Sequence, residues 1–280
     1  MFSEFVDNLA AKAEQNNVVN EGDYYNEEGL LCCGKCRTPK QVVVEIPELG
    51  IKRKPYCNCK CESEKLDKEE AERKELERKK KINENRRRCF SDEAMMGWTF
   101  ERDDKANEKV TQAMQNYVDN FPELKKDGKG LLLYGQCGTG KTYAACEVAN
   151  ALIDKGYSVL VTNFARVLNE LQATYEKQDY IDSLNDNSLL ILDDLGIERD
   201  TPFAREQVYN VIDARYRAGL PMIITTNLTM DKIKATQDID NMRIYDRILE
   251  KCFPIEVDGG NRRRKAIRES YGDMKNLLGL

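Results

Sequence analysis

The sequence predicts an α/β protein, with a five-stranded parallel sheet covered by helices on both faces. A small zinc-ribbon-like module and a charged helical linker precede it. Three observations predict this. Five short apolar runs alternate with helical patterns from about residue 130 onward. The first of these runs leads directly into a glycine loop and an Ala-rich segment. Six of the ten cysteines lie between Cys32 and Cys61, and the stretch that follows them is almost entirely charged. The expected divisions are 1–61 for the N-terminal helix and cysteine module, 62–89 for the linker and 90–280 for the α/β domain.

Residues 2–13 place Phe2, Phe5, Val6, Leu9 and Ala13 on one helical face. Such a helix either docks on the next module or enters a partner's groove. The N-terminus has no basic segment followed by an apolar stretch, and no run approaches a membrane span, so the expectation is a cytoplasmic chain with no membrane association.

Cys32-Cys33-Gly34-Lys35-Cys36 and Cys57-Asn58-Cys59-Lys60-Cys61 form two clusters. In a cytosolic chain, clustered cysteines point to metal before disulfides. The C-x-x-C pair makes Cys33 and Cys36 the natural zinc ligands on the near side. The far side offers three sulfurs, and spacing alone does not choose among them. The chain has no histidine, so a tetrahedral site would be all cysteine. Gln41–Ile46 reads as a strand between the clusters. A set of free thiols is the alternative, but so short a segment has little core to hold it without metal.

Residues 62–88 contain nine acids and eleven bases, which leaves too few apolar positions for a coiled-coil seam. Glu69–Arg73, Glu70–Lys74, Glu75–Lys79 and Glu77–Lys81 sit four apart with the acid first. Acids dominate the early part and Lys79–Lys81 and Arg86–Arg88 the late part, which suits the helix dipole. This is an exposed helical linker.

From about residue 90 the pattern is globular. Val110, Met114, Tyr117 and Phe121 give helical spacing over Asp104–Phe121. Strands are expected at Leu131–Tyr134, Ser158–Val161, Leu189–Leu192, Met222–Thr226 and Phe253–Val257. Gly135-Gln136-Cys137-Gly138-Thr139-Gly140-Lys141-Thr142 matches the G-x-x-x-x-G-K-T phosphate loop, placed between a strand and a helix as that motif requires. Its glycines let backbone N–H groups approach phosphate oxygens. Lys141 reaches the β- and γ-phosphates, and the Thr142 hydroxyl takes Mg²⁺. The chain is therefore expected to bind ATP.

The apolar run at 188–192 ends in Asp193-Asp194, at the edge of a buried parallel strand that faces a ligand. Asp193 suits the Mg²⁺ shared with Thr142, and Asp194 suits polarising the attacking water. Asn227 ends another apolar strand, within reach of the γ-phosphate or of that water. Arg243 and Arg247 share one helical face and suit either internal ion pairs or a phosphate across a subunit boundary. Asn261–Lys265 is a basic cluster. Cys89, Cys137, Cys146 and Cys252 are scattered and read as packing residues. The net charge of −5 excludes a global basic field, so any nucleic-acid contact is local. Nothing marks the second-substrate site of a small-molecule kinase.

The stretches GQCGTGKT, LLILDDLGIE, IITTN and YDRILEKC, behind a cysteine module, resemble the DnaC/DnaI class of replicative helicase loaders, which are AAA+ ATPases. The resemblance covers essentially the whole chain, and DDLG-x-E is its most specific element. It implies an AAA+ fold with the nucleotide between subunits, and self-association when ATP is bound. It makes Asp193 the Mg²⁺ acid, Asp194 the water-activating acid, Asn227 the first sensor and Arg247 the arginine finger, with Arg243 as alternate. One of Arg262–Arg264 becomes the second sensor. AAA+ proteins often carry Glu where Asp194 stands. In the family's zinc module the far pair reads Cys-x-Cys-Glu, which favours Cys59 and Cys61 before Glu62, with Cys57 as rival. The implied function is ATP-dependent loading of a replicative DNA helicase onto single-stranded DNA, with ATP, Mg²⁺ and Zn²⁺ as cofactors. The ATPase subunit of a DNA transposition system shares the core but generally lacks the cysteine module and linker. An adaptor that binds ATP without significant hydrolysis is the other alternative.

Overall fold

A computed structural model describes residues 19–90, 92–196 and 201–262, and near the C-terminus 270–271, 274–275 and 277–278. The amphipathic pattern at 2–13, and Arg263, Arg264 and Lys265, lie outside the described residues. The chain divides into two compact units, residues 1–79 and 80–280.

The first unit is built from two short hairpins. Strand β1 (Tyr24–Tyr25) pairs with β2 (Leu31–Cys32), and β3 (Val44–Ile46) pairs with β4 (Ile51–Arg53), both antiparallel. The expected strand over Gln41–Ile46 is shorter because its first half ties the hairpins together. Lys40 N–H donates to Leu31 O, Leu31 N–H donates to the Gln41 side-chain oxygen, and Val42 N–H donates to Pro55 O. Lys40 is buried, and its ammonium meets Asp23 at 2.8 Å. That bond draws the Asp23 carboxyl down to about 2.

Helix α1 (Lys60–Cys89) follows, belonging to the first unit up to Lys79 and to the second from Lys80. Its solvent-facing pairs include Glu70–Lys74 at 2.8 Å and Glu75–Lys79 at 3.7 Å.

The second unit is a five-stranded, all-parallel sheet of order β6-β7-β8-β5-β9. Its elements in chain order are α2 (Glu108–Asp119), α3 (Phe121–Lys126), β5 (Gly130–Tyr134), α4 (Lys141–Asp154), β6 (Val159–Asn163), α5 (Phe164–Ala173), α6 (Lys177–Leu184) and β7 (Leu189–Leu195). There follow α7 (Pro202–Arg217), β8 (Met222–Thr226), α8 (Met230–Lys234), α9 (Ile239–Lys251) and β9 (Cys252–Glu256). The helix expected over Asp104–Phe121 starts later because the Asn107 side chain caps it at Val110 N–H. Pro122, which has no N–H to donate, starts a separate helix beyond it.

Strand alternation splits the core between the two sheet faces. Leu131, Leu133, Leu189 and Ile191 pack with Met114, Val148 and Leu152 from α2 and α4. Leu132, Leu190, Leu192 and Ile224 pack with Phe164, Val208, Ile212 and Ile244 from α5, α7 and α9. At the end of the sheet where the strands begin, Arg215 is wholly buried and donates to the carbonyls of Pro221 and Asn187. Burial lowers its pKa to about 10. The opposite end, where β5, β7 and β8 finish, carries the phosphate loop.

Candidate functional site

Strand β5 enters the phosphate loop at Gly135, where φ is +148° and a Cβ would collide with the Val257 carbonyl. Gly140, at φ +103°, turns the chain into α4. The loop N–H groups and the start of the fourteen-residue α4 therefore face one cleft of about 270 Å³. Gly138, Gly140, Lys141, Thr142, Asp194 and Asn227 are among its walls. Thr139 is buried, its hydroxyl bonded to Gln136 O at 3.0 Å, which closes the loop on itself.

Lys141 is buried and donates to Gly135 O (2.9 Å), Gln136 O (2.8 Å) and Asn227 Oδ1 (2.8 Å). Its ammonium thus stands between the loop and the end of β8. The Thr142 hydroxyl donates to Asp193 Oδ1 at 2.9 Å, and the Thr225 hydroxyl reaches the same oxygen at 2.5 Å. Burial raises the Asp193 pKa, the two hydroxyls oppose that shift, and the Asp194 charge adds to it. A hydroxyl and a carboxylate in contact beside a phosphate cradle form the oxygen donor set that suits Mg²⁺.

Asp194 adopts φ +59°, in the left-handed region that Asp tolerates better than most residues. Its N–H donates to Thr225 Oγ1 at 2.9 Å. The β7–β8 register shifts between Leu192 and Leu195, and this irregularity turns Asp194 out of the ladder while Asp193 keeps its pairing with Asn163. Thr225 therefore organises both acids. The sequence shows only that β8 ends in polar residues, which is a weak signal for such a role.

The structure thus brings together the loop, Asp193, Asp194 and Asn227, and adds three groups that sequence reasoning missed or left undecided. Trp98 stacks on Tyr143 at 5.5 Å beside the cleft. Asn150 holds that segment by donating to Met95 O and Trp98 O. Arg262, one of three candidate arginines, also lines the cleft, with its backbone N–H bonded to Gly138 O at 2.9 Å.

Arg247 lies elsewhere, on α9 against α7. It donates to Asp213 Oδ1 at 2.5 Å and to the Tyr209 hydroxyl at 2.6 Å, with its guanidinium 4.6 Å from the Tyr209 ring centroid. It does not line the cleft of its own chain. Arg243, one turn earlier, is exposed.

In the first unit, the sulfurs of Cys33, Cys36, Cys59 and Cys61 all lie within 4.8 Å of one another. Cys33–Cys61 is 3.6 Å and Cys59–Cys61 is 3.4 Å. Four sulfurs each about 2.3 Å from a tetrahedral centre stand about 3.8 Å apart, so the donor set fits Zn²⁺. Cys57 instead contacts Pro39 O at 3.8 Å. The thiols oppose one another. Cys36 is drawn down to about 5, first by the Thr38 hydroxyl, while hydrogen bonds to Cys59, Cys36 and Cys33 push Cys61 up to about 12. A cation is what would let all four ionise together.

Comparison with known proteins accords with this geometry. Replicative helicase loader DnaI of Bacillus subtilis is 30% identical over an alignment of 185 residues that covers 60% of this chain and 59% of that protein. Replicative helicase loader DnaC of Escherichia coli K12 is 24% identical over an alignment of 140 residues that covers 46% of this chain and 55% of that protein. The chain thus spans somewhat over half the length of the relatives it matches. A crystal structure of DnaI superposes with a TM-score of 0.53 at 26% identity, covering 62% of this chain and 95% of that one. The DnaC helicase loader structure, with a TM-score of 0.51 at 23% identity, covers 60% and 100% and shows the same fold. The sheet, the phosphate loop and the acids at the end of β7 make this an α/β AAA+ domain of the DnaI/DnaC type. Residues 61–270 match the family described as IstB-like ATP binding protein, and the chain belongs to that family.

Proposed function

We propose that this protein is an ATPase that loads a replicative DNA helicase onto single-stranded DNA. The observation that carries the reading is the cleft walled by Lys141, Thr142, Asp194 and Asn227, with Asp193 bonded to Thr142, in a chain 30% identical to a replicative helicase loader over 185 aligned positions. In this reading the loop N–H groups bind the ATP phosphates, with Lys141 on the β- and γ-phosphates. Thr142 and Asp193 would hold Mg²⁺, which supplies neutralisation of charge developing between those phosphates. Asp194 orients and accepts a proton from the attacking water, and Asn227 senses the γ-phosphate. Arg247 acts on the nucleotide of a neighbouring copy, with Arg243 as alternate, which requires self-association when ATP is bound. Cys33, Cys36, Cys59 and Cys61 hold Zn²⁺, so that the module presents a folded surface to the helicase.

ATP turnover measured with and without single-stranded DNA tests the chemistry. DNA stimulates it, and Lys141→Ala lowers it about 100-fold or more. Turnover that survives in that variant removes the site. Retention of a replicative helicase from source cells, lost when residues 1–61 are removed, tests the partner. A second reading is favoured by the family's description, because the ATPase subunit of a transposition system shares this core. That protein would select target DNA and retain no helicase.

A further inference from the structure

Residues 258–262 run from the end of β9 across the phosphate loop and are tied there at several points. The Asn107 side chain donates to Asp258 O and Asp258 Oδ1. The Asn261 side chain packs against Gly138, and Arg262 N–H donates to Gly138 O at 2.9 Å. A Cβ placed on Gly140 would stand 3.2 Å from the Arg262 guanidinium carbon, so the arginine lies directly over the loop. Its guanidinium does not point freely into the cleft. Nη1 is 3.1 Å from Asp104 Oδ1 and 3.8 Å from Asp103 Oδ1.

The two acids differ. Asp103 is nearly buried and accepts from the Thr111 hydroxyl at 2.5 Å, so it is part of the frame of α2. Asp104 is more than half exposed, and its Arg262 contact is the shorter of the two ion pairs. Glu147 lines the same small space behind the loop. Among the described residues, the cationic wall that the C-terminal segment gives the cleft is thus partly neutralised by acids from the segment before α2.

We propose that Asp104 is a selectivity residue: it clamps Arg262 over the phosphate loop, and the third phosphate of a nucleoside triphosphate draws the guanidinium off that clamp. This rests on the ATP-binding reading above and deepens it. The backbone bond to Gly138 keeps Arg262 in place while the side chain exchanges partners. A nucleoside diphosphate brings less negative charge and competes less well with two carboxylates. The clamp therefore costs the triphosphate the full exchange of partners and the diphosphate only the weaker contact it would otherwise make, so it narrows the preference for the triphosphate.

The test is a calorimetric titration of the full-length protein with the non-hydrolysable analogue AMP-PNP and with ADP. Asp104 is exposed, so Asp104→Asn leaves the fold intact. It tightens AMP-PNP binding about two- to fivefold, the range expected for loss of one exposed ion pair, and changes ADP binding less. The gain shrinks in high salt. In an Arg262→Ala background the same substitution no longer alters the AMP-PNP to ADP ratio. An unchanged ratio in Asp104→Asn overturns the clamp. A change in that ratio on Asp104→Asn that persists without Arg262 also overturns it, since simple repulsion between Asp104 and phosphate would then be responsible. Wild-type protein that binds neither nucleotide overturns the ATP reading itself. Loss of both nucleotides in Lys141→Ala with an unchanged ratio in Asp104→Asn keeps that reading and removes only the clamp.

Discussion

Among the described residues, the cysteine module buries Leu30, Leu31, Cys32, Cys33, Ile51 and Cys59 as its apolar interior, while Val42, Val43 and Val44 stay exposed. The α/β unit buries two continuous apolar layers, one on each face of its sheet. A short segment with so little buried apolar surface does not offset its conformational entropy by hydrophobic burial alone. A parallel sheet with both faces covered does. On the proposed zinc reading the first unit therefore depends on one point, the four sulfurs, and the second depends on many contacts of similar size. The two should fail in different ways under different stresses, and Trp98, the only tryptophan, reports on the second alone.

Metal removal should give the largest effect. Structural zinc sites of this kind contribute about 10–16 kcal/mol of binding free energy near neutral pH. A strong chelator, or Cys36→Ser, should abolish hydrogen-exchange protection over residues 19–59. The denaturant midpoint followed by Trp98 fluorescence should not move. Cys57→Ser should keep the metal, because Cys57 contacts Pro39 O and is not one of the four clustered sulfurs. Equal loss in Cys57→Ser and Cys36→Ser would break the assignment of ligands. A shift of the Trp98 transition on chelation would mean that the stability of the second unit depends on the metal of the first.

A core cavity should do the reverse. Ile191 lies in the middle of β7 and is fully buried between β6 and β8. Ile191→Ala should lower the Trp98-reported stability by about 2–5 kcal/mol, the usual cost of such a truncation. Zinc content by elemental analysis should stay at one ion per chain. Metal loss in this variant would mean that the two units do not stand independently.

The same contrast explains what the sequence could reveal. The five strands were legible because strands buried on both faces must be continuous apolar runs, and Met222–Thr226 falls where its pattern puts it. The phosphate loop was legible because its chemistry dictates local spacing. Three features were not. The extension of β7 to Leu195 depends on the left-handed turn at Asp194, which is held by Thr225 from another strand. The position of Arg262 depends on the path taken after β9. Spacing left three far-side sulfurs open; the resemblance favoured Cys59 and Cys61, and the fold brings those two to Cys33 and Cys36. In each case the deciding contact joins residues distant in sequence, and no local period encodes it.

The smallest effect is expected inside the α/β unit, at a polar group buried in its apolar layer. Glu147 sits on α4 among Ala144, Cys146 and Val148, and its Oε1 has no hydrogen-bond partner among the described residues. Burial raises its pKa from the ordinary carboxylate value to about 8, with the Asp103 charge adding to the shift and Arg262 opposing it. In the unfolded chain this acid titrates near 4.3. Between those two values the folded state holds a proton that the unfolded state has released. Stability therefore falls as pH rises across that window, and the slope flattens above about 8. Glu147→Gln removes the ionisable group and keeps the shape. It should stabilise the unit at pH 7 by about 1–2 kcal/mol, a gain that vanishes toward pH 4.5. Denaturation followed by Trp98 at both pH values measures this. A gain that is the same at pH 4.5 and pH 7 would mean that the carboxyl is not protonated in the folded unit. A hydrogen-bond donor would then satisfy Oε1, and the apolar layer behind the phosphate loop would be wetter than the packing of its side chains indicates.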